Sequence, residues 1–237
     1  MKITGFIFAA GLGTRLYPLT ASKPKALVKY NGRTLLDHAI GKLFASGITD
    51  IIVNVHHFPD LMIDALRQHP QAEHLHVSDE RAYLRDTAGG LKFAEPLWGG
   101  SDLLLLYNVD IISNIDLNKV INKHIETNAE ATLAVRHRTT QRYLLFNEAD
   151  GQLCGWRNVK TGEELVSNPC PNPDALAFSG IHVLNAKFAR EIPSVEKQSI
   201  TQFYLQQSAT HRICAHIHDE DEWMDVGKFE EFHNLLS

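Results

Sequence analysis

Apolar positions along the chain fall into short blocks separated by glycine, proline and polar clusters. Residues 3–8 form a continuous apolar run of the length a buried strand needs. Thr34 precedes an apolar face made by Leu35, Leu36, Ala39, Ile40, Leu43 and Phe44, and Gly47 follows it. That pattern predicts a capped, amphipathic helix. A strand is predicted over 51–55, then a helix from Pro59 toward Gln68 with the proline in its first turn. A short strand over 75–78 and a short helix over 88–95 follow, the helix ending before Pro96. Residues 103–107, four leucines and a tyrosine, read as a strand buried on both faces. A helix over 117–127 and a strand over 131–135 complete the first half.

This alternation predicts an α/β fold, doubly wound around a mostly parallel sheet. The pattern breaks over 136–176. There 143–146 and 153–156 read as antiparallel strands around Asp150-Gly151, and 168–173 as an irregular loop. Alternation resumes with a strand over 177–184, a helix near 200–207, a strand over 212–217 and a final helix from Lys228. No linker or low-complexity tract divides the chain. A single domain over 1–237 is expected, with 136–176 as a small antiparallel, lid-like excursion.

Composition narrows the class. The 237 residues are 44% hydrophobic and 22% charged, ordinary for a soluble globular protein. A net charge of −5 without a basic stripe argues against nucleic-acid binding. No stretch approaches the roughly 18 apolar residues of a membrane span, so no membrane partner is expected. The apolar start leads into a glycine turn rather than a cleavage site and reads as the first strand, not a signal peptide. Cys154, Cys170 and Cys214 are widely spaced and signal neither a zinc site nor a disulfide framework. A reduced, cytoplasmic location is the simplest reading, with a Cys154–Cys170 pair left open.

Candidate chemistry begins where the first strand ends, at Ala9-Ala10-Gly11-Leu12-Gly13-Thr14-Arg15. Gly11 and Gly13 let backbone amides approach a polyanion. Arg15 adds a planar cation and Lys25 a mobile one, parts that suit a nucleoside triphosphate. The string lacks the Gly-Lys-Ser/Thr of a P-loop, and Leu16 stands where a dinucleotide fingerprint needs glycine. Asp110 follows the 103–107 strand, and Asp225 ends the last predicted strand. Two carboxylates from distant strand ends can hold Mg²⁺ that keeps water and phosphate oxygens as further ligands. Asp86-Thr87-Ala88-Gly89-Gly90 can cap a helix and expose amides at its start. Of the thirteen histidines, the His74/His76 and His216/His218 pairs read as solvated strand faces rather than metal ligands.

The opening string, the Pro18-Leu19-Thr20 and Pro24-Lys25-Ala26-Leu27-Val28 segments, Asn108-Val109-Asp110 and Trp223-Met224-Asp225-Val226-Gly227 together resemble the sugar-1-phosphate nucleotidyltransferases. The resemblance spans nearly the whole chain. It implies a Rossmann-like nucleotidyltransferase fold, Mg²⁺ on Asp110 and Asp225, and catalytic roles for Arg15 and Lys25. Ala9, Ala10, Gly11, Gly13, Thr14, Thr87, Gly89, Gly90 and Asn108 would bind the nucleotide, the glycines letting the base slide close. Gly180 of Ser179-Gly180 would touch the sugar, with a bulge as the other reading. Arg157 stands near the region where larger members grip the sugar phosphate. Val109 replaces a usual glycine and is expected to crowd the phosphates. No left-handed β-helix tail follows, and the short chain looks most like N-acetylmuramate-1-phosphate uridylyltransferases. Mannose- or heptose-1-phosphate guanylyltransferases are nearly as similar. A phosphocholine-type cytidylyltransferase and a non-catalytic binder of nucleotide sugars are the other readings.

Overall fold

In a computed structural model of the protein, residues 1–227 are described; the helix predicted from Lys228 lies outside them. β1 (Ile3–Phe8) opens the chain. A hairpin, β2 (Lys29–Tyr30) and β3 (Arg33–Thr34), leads into α1 (Leu35–Ala45). β4 (Ile51–Val55), α2 (Pro59–Gln68), β5 (Leu75–Asp79), α3 (Asp86–Phe93) and α4 (Glu95–Trp98) follow. Next come β6 (Leu103–Asn108), β7 (Ile111–Ser113), α5 (Leu117–Thr127) and β8 (Ala131–Arg136). The antiparallel region holds β9 (Arg142–Asn147), β10 (Leu153–Asn158), β11 (Glu163–Val166) and β12 (Pro173–Asn185). α6 (Ala186–Ala189), α7 (Ile200–Gln207), β13 (Ile213–Ile217) and β14 (Trp223–Asp225) close the described chain.

Among the described residues, ten strands share one sheet, with β1 near its centre. β1 runs parallel to both β4 and β6, and Phe8 at its end faces Asn54 on one side and Asn108 on the other. Polar residues therefore flank the point where the chain leaves the sheet. β12 runs antiparallel to β6 and β8.

Strand periodicity divides the core in two. Ile7, Val53, Leu105 and Tyr107 point to one face, which α1, α2 and α5 cover through Leu36, Ile40, Met62, Leu66 and Val120. Phe6, Ile52, Leu104 and Leu106 point to the other, covered from α3, α4, α6 and α7 by Leu91, Trp98, Phe188 and Phe203. Side chains that alternate across a strand bury both faces only when helices flank both. That is the doubly wound arrangement the alternation predicts. α1 starts as expected: Thr34 Oγ1 accepts from the Asp37 amide, and the Asp37 carboxylate accepts in return from the Thr34 amide.

Several expectations need correction. The helix placed over 88–95 begins at Asp86 and ends at Phe93, and Pro96 is the second residue of a separate turn, α4, where its missing N–H costs nothing. β11 was not foreseen, because Glu-Glu-Leu-Val shows no alternation and all its residues are exposed. The 136–176 segment continues the main sheet, since β9 pairs with the first part of β12 and β10 with β9. Cys154 and Cys170, left open by the sequence, are joined in a disulfide, and Cys214 is a buried thiol. His218 is no solvated face: it is buried, its Nε2 2.7 Å from Ser179 Oγ. No helix among the described residues is long and apolar enough to cross a membrane.

His182 is 1% exposed and bonded through Nδ1 to the Tyr204 hydroxyl at 2.8 Å. Burial pulls its pKa down to about 3. On acidification the unfolded chain takes up that proton first. The stability His182 preserves is thus complete above its ordinary value near 6.5 and is lost as pH falls toward the folded value. Unfolding free energy should therefore fall between pH 6.5 and pH 4 by up to about 1.4 kcal/mol per pH unit for such a group. Denaturant titrations across that range should show the slope, and His182→Gln should reduce it.

Candidate active site

Arg15, Lys25, Asp110 and Asp225 come together at the carboxyl end of β1, β4 and β6, where open α/β sheets leave a crevice. Residues 9–13 leave β1 as a loop. Gly13, at φ 67°, turns it into a single helical turn that carries Arg15. Thr20 Oγ1 donates to the Gly13 carbonyl at 2.9 Å and fastens the turn from behind. The amides of Gly11, Leu12, Gly13 and Thr14 find no acceptor among the described residues. A run of unanswered amides in such a turn is an anion cradle.

Both acidic strings arrive at this loop. β7 and β14 pair antiparallel, with Asp225 opposite Ile111, and the Val226 amide donates to the Asp110 carbonyl at 3.0 Å. The two carboxylates consequently lie together. A Cβ added to Gly227 would stand 2.5 Å from Asp110 Oδ2 and 2.7 Å from Asp225 Oδ1. Burial, reinforced by the charge of Asp110, pushes the Asp225 carboxyl above the usual range; Arg15 and Lys25 oppose that rise. Lys25 Nζ sits 2.6 Å from Asp110 Oδ2 in a largely buried ion pair. The donor set is two carboxylates and no histidine or thiol, and no cluster of three metal-ligating side chains occurs among the described residues. That fits a hard divalent cation completed by water and phosphate oxygens.

A cleft of about 410 Å³ adjoins the pair, lined among others by Ala10, Gly11, Arg15, Lys25, Asn108 and Asp110. Thr87 also lines it, while Thr14 lines a smaller neighbouring hollow of about 290 Å³. A larger cavity of about 860 Å³ opens beneath β9–β11 and carries Arg138, Arg142, Tyr143, Trp156 and Phe178. Lys197 lines the cleft, and Ser199, two positions on, lines the cavity. Arg138 stacks over Trp223, two residues before Asp225, at 4.5 Å from the ring centroid.

Four expectations change here. Gly89 and Gly90 do not line the cleft: a Cβ on Gly89 would collide with the Glu196 carbonyl, and one on Gly90 would meet Glu80 Oε1 at 2.6 Å. The amides of Ala88 and Gly89 are not offered to a ligand either, because both donate to the Gln198 carbonyl. Val109 is fully buried in the core, so its branched side chain does not crowd the phosphates. Arg157 faces away from both spaces and pairs with Glu164 at 2.6 Å, whereas its neighbour Trp156 lines the cavity. Gly180 sits in a strand irregularity at φ 75°, and a Cβ there would stand 2.7 Å from Asn108 Nδ2. It packs on Asn108 and lines neither space.

The sequence reading missed Asn54 and Lys197, which line the cleft, and Arg138 and Arg142, which line the cavity. For Asn54 a signal existed: it is a lone amide within Ile-Ile-Val-Asn-Val. The others stand in loops and irregular strands with no pattern to mark them.

Comparison with known proteins points one way. The family model described as Nucleotidyl transferase matches residues 4–237. An N-acetylmuramate alpha-1-phosphate uridylyltransferase of Caulobacter vibrioides is 29% identical over 93% of this chain and 90% of its own length. A mannose-1-phosphate guanyltransferase of Yarrowia lipolytica is 30% identical over 96% of this chain, which spans only 61% of that relative. Among solved structures, HddC from Yersinia pseudotuberculosis complexed with GMP-PN superposes with TM-score 0.76 at 20% identity, covering 99% of this chain and 98% of its own. A putative glucose-1-phosphate thymidylyltransferase from Bacillus anthracis gives TM-score 0.76 at 18% identity, covering 98% and 93%. At such identities the superpositions speak for the fold.

Packing at Gly89 can be tested directly. Gly89→Ala should cost about 1–3 kcal/mol of stability through the forced contact with Glu196, seen as a lower Tm. A variant with unchanged Tm and weakened nucleotide binding would instead place this glycine against the ligand.

Proposed function

The chain belongs to the nucleotidyl transferase family, and from that premise we propose that it joins a nucleoside triphosphate to a sugar 1-phosphate. The products are a nucleotide sugar and pyrophosphate; the substrates we favour are UTP and N-acetylmuramate 1-phosphate. The observation carrying this reading is the meeting of Asp110 and Asp225 beside a loop of unanswered amides.

The chemistry asks little of the protein beyond alignment and charge. A sugar 1-phosphate carries most of its second negative charge at neutral pH, the pKa being ~6. One of its oxygens attacks the α-phosphorus, a new O–P bond forms, and the bond to the β-phosphate breaks with its electrons leaving on pyrophosphate. No enzyme nucleophile or general base enters. Asp110 and Asp225 would hold Mg²⁺, which supplies positive charge against the phosphate oxygens. The amides of residues 11–14 and Arg15 receive the triphosphate. Lys25, poised on Asp110, lies within reach of phosphates on that side. Asn108 and Thr87 border the nucleotide cleft.

The acceptor belongs in the larger cavity. N-acetylmuramate carries a lactyl carboxylate, and the Arg142 guanidinium has no bonded partner among the described residues. Trp156, Phe178 and Tyr143 offer apolar surface to acetyl and lactyl methyl groups. A guanylyl-transferring reading keeps support from Asp86, which lines the cleft; one of its carboxylate oxygens accepts from the Thr87 amide at 2.7 Å, and the other would be left to accept from an N–H of guanine.

A grid of UTP, GTP, CTP and ATP against several sugar 1-phosphates, with Mg²⁺ and pyrophosphate release as readout, separates these readings. The highest kcat/KM is expected for UTP with N-acetylmuramate 1-phosphate. Arg142→Gln should raise KM for that acceptor and leave neutral sugars unaffected. Release only with GTP and a neutral sugar would give the alternative its case. Asp110→Asn and Asp225→Asn should each lower turnover on the order of 10²–10³. Asp225→Asn should not lower Tm, since the fold already disfavours that charge.

A further inference from the structure

One buried pair outside the reacting groups ties the two nucleotide-facing loops together. Asn54 is 2% exposed and Glu80 1% exposed. Asn54 Oδ1 accepts from the Ala9 amide at 2.7 Å and from the Ala10 amide at 3.2 Å. Its Nδ2 donates to Glu80 Oε1 at 2.7 Å, and Glu80 Oε2 accepts from the Arg85 amide at 3.3 Å. The orientation of the Asn54 amide follows from chemistry alone. The two backbone N–H groups can only meet the oxygen, which leaves the nitrogen to donate to Glu80.

The register explains why this side chain reaches the loop. Asn54 pairs with Phe8, the last residue of β1, so its carbonyl oxygen lies beside the next two amides. The chain leaving the sheet is thereby fixed before it reaches Gly11, the first of the amides that face a ligand. At the other end, Glu80 holds Arg85, immediately before Asp86 and Thr87 of the cleft. Room for the pair comes from Gly90, where a Cβ would intrude on both Glu80 Oε1 and Asn54 Nδ2.

We propose that Asn54 and Glu80 are positioning residues that preset the glycine loop and the 85–87 segment for the nucleotide. This rests on the nucleotidyl-transfer reading of the same cleft. A buried amide in an apolar strand costs stability unless its bonds are met. Here the bonds it makes are the ones that aim two loops.

The test exchanges the polarity of the pair. In Asn54→Asp two carboxylates face each other. In Glu80→Gln one end of the new amide meets a like group, either Asn54 Nδ2 or the Arg85 N–H. The double variant restores the whole pattern: the glutamine nitrogen donates to the new carboxylate, its oxygen accepts from Arg85, and the net charge is unchanged. UTP affinity with Mg²⁺ and kcat/KM would be measured for all four proteins, with Tm alongside.

Each single variant should bind UTP about tenfold to a hundredfold more weakly. KM for the sugar phosphate should be nearly unchanged, and the double variant should recover most of the loss. Gly90→Ala, which crowds Glu80 without removing it, should give a milder loss and serves if a single variant fails to fold. Single variants with unchanged UTP affinity, or a folded double variant as weak as the singles, would overturn the positioning role alone. Wild-type protein that binds none of the four nucleotides would overturn the nucleotide reading first, and this role with it.

Discussion

Two like charges held side by side organise this molecule. Unit charges 4 Å apart repel by about 4 kcal/mol at an effective dielectric of 20, so Asp110 and Asp225 stay together only because something holds them. The backbone does so through the β7–β14 pairing and the Val226 amide. Lys25, bonded to Asp110, and Arg15, whose charge reaches Asp225, offset the repulsion. The glycine loop, the carboxylates and the cations are therefore one electrostatic unit. A cation or polyanion entering the cleft meets charges already in place, which is the condition for catalysis by preorganisation.

Much of the fold was legible in the sequence because it rests on periodicity. The runs at 3–8, 51–55 and 103–107 have nearly the right ends, since strands covered by helices on both faces must be apolar throughout. α1 could be read from Thr34 to Gly47 because its cap, its apolar face and its stop are all local signals. The candidate site was legible where chemistry demands particular residue types, as with Arg15, Lys25, Asp110 and Asp225. Their meeting was an inference from the rule that strand ends converge, and β7 and β14 are the short strands that carry it out.

What escaped the reading depends on contacts between distant segments. Gly89 and Gly90 looked like ligand-facing glycines, yet the partners that need the space are Glu196 and Glu80. Val109 looked like an obstruction because a sequence does not say which way a residue after a strand turns. Arg157 and Trp156 are adjacent, and the parity of β10 sends only Trp156 into the cavity. Asn54 was visible as an oddity, but its partners lie 26 and more than 40 positions away in the chain.

The irregularity in β12 separates two jobs. Phe178 faces Val135 of β8, but His182 faces Leu133, so β12 advances farther than its neighbour across Gly180. Slack of this kind absorbs mismatch. On the sheet side the register against β6 and β8 is fixed by the core. On the far side β9–β11 follow a count of their own. The ribbon shaping the large cavity thus keeps a register of its own, while Leu144, Phe146, Leu153 and Leu176 tie its inner face into the core.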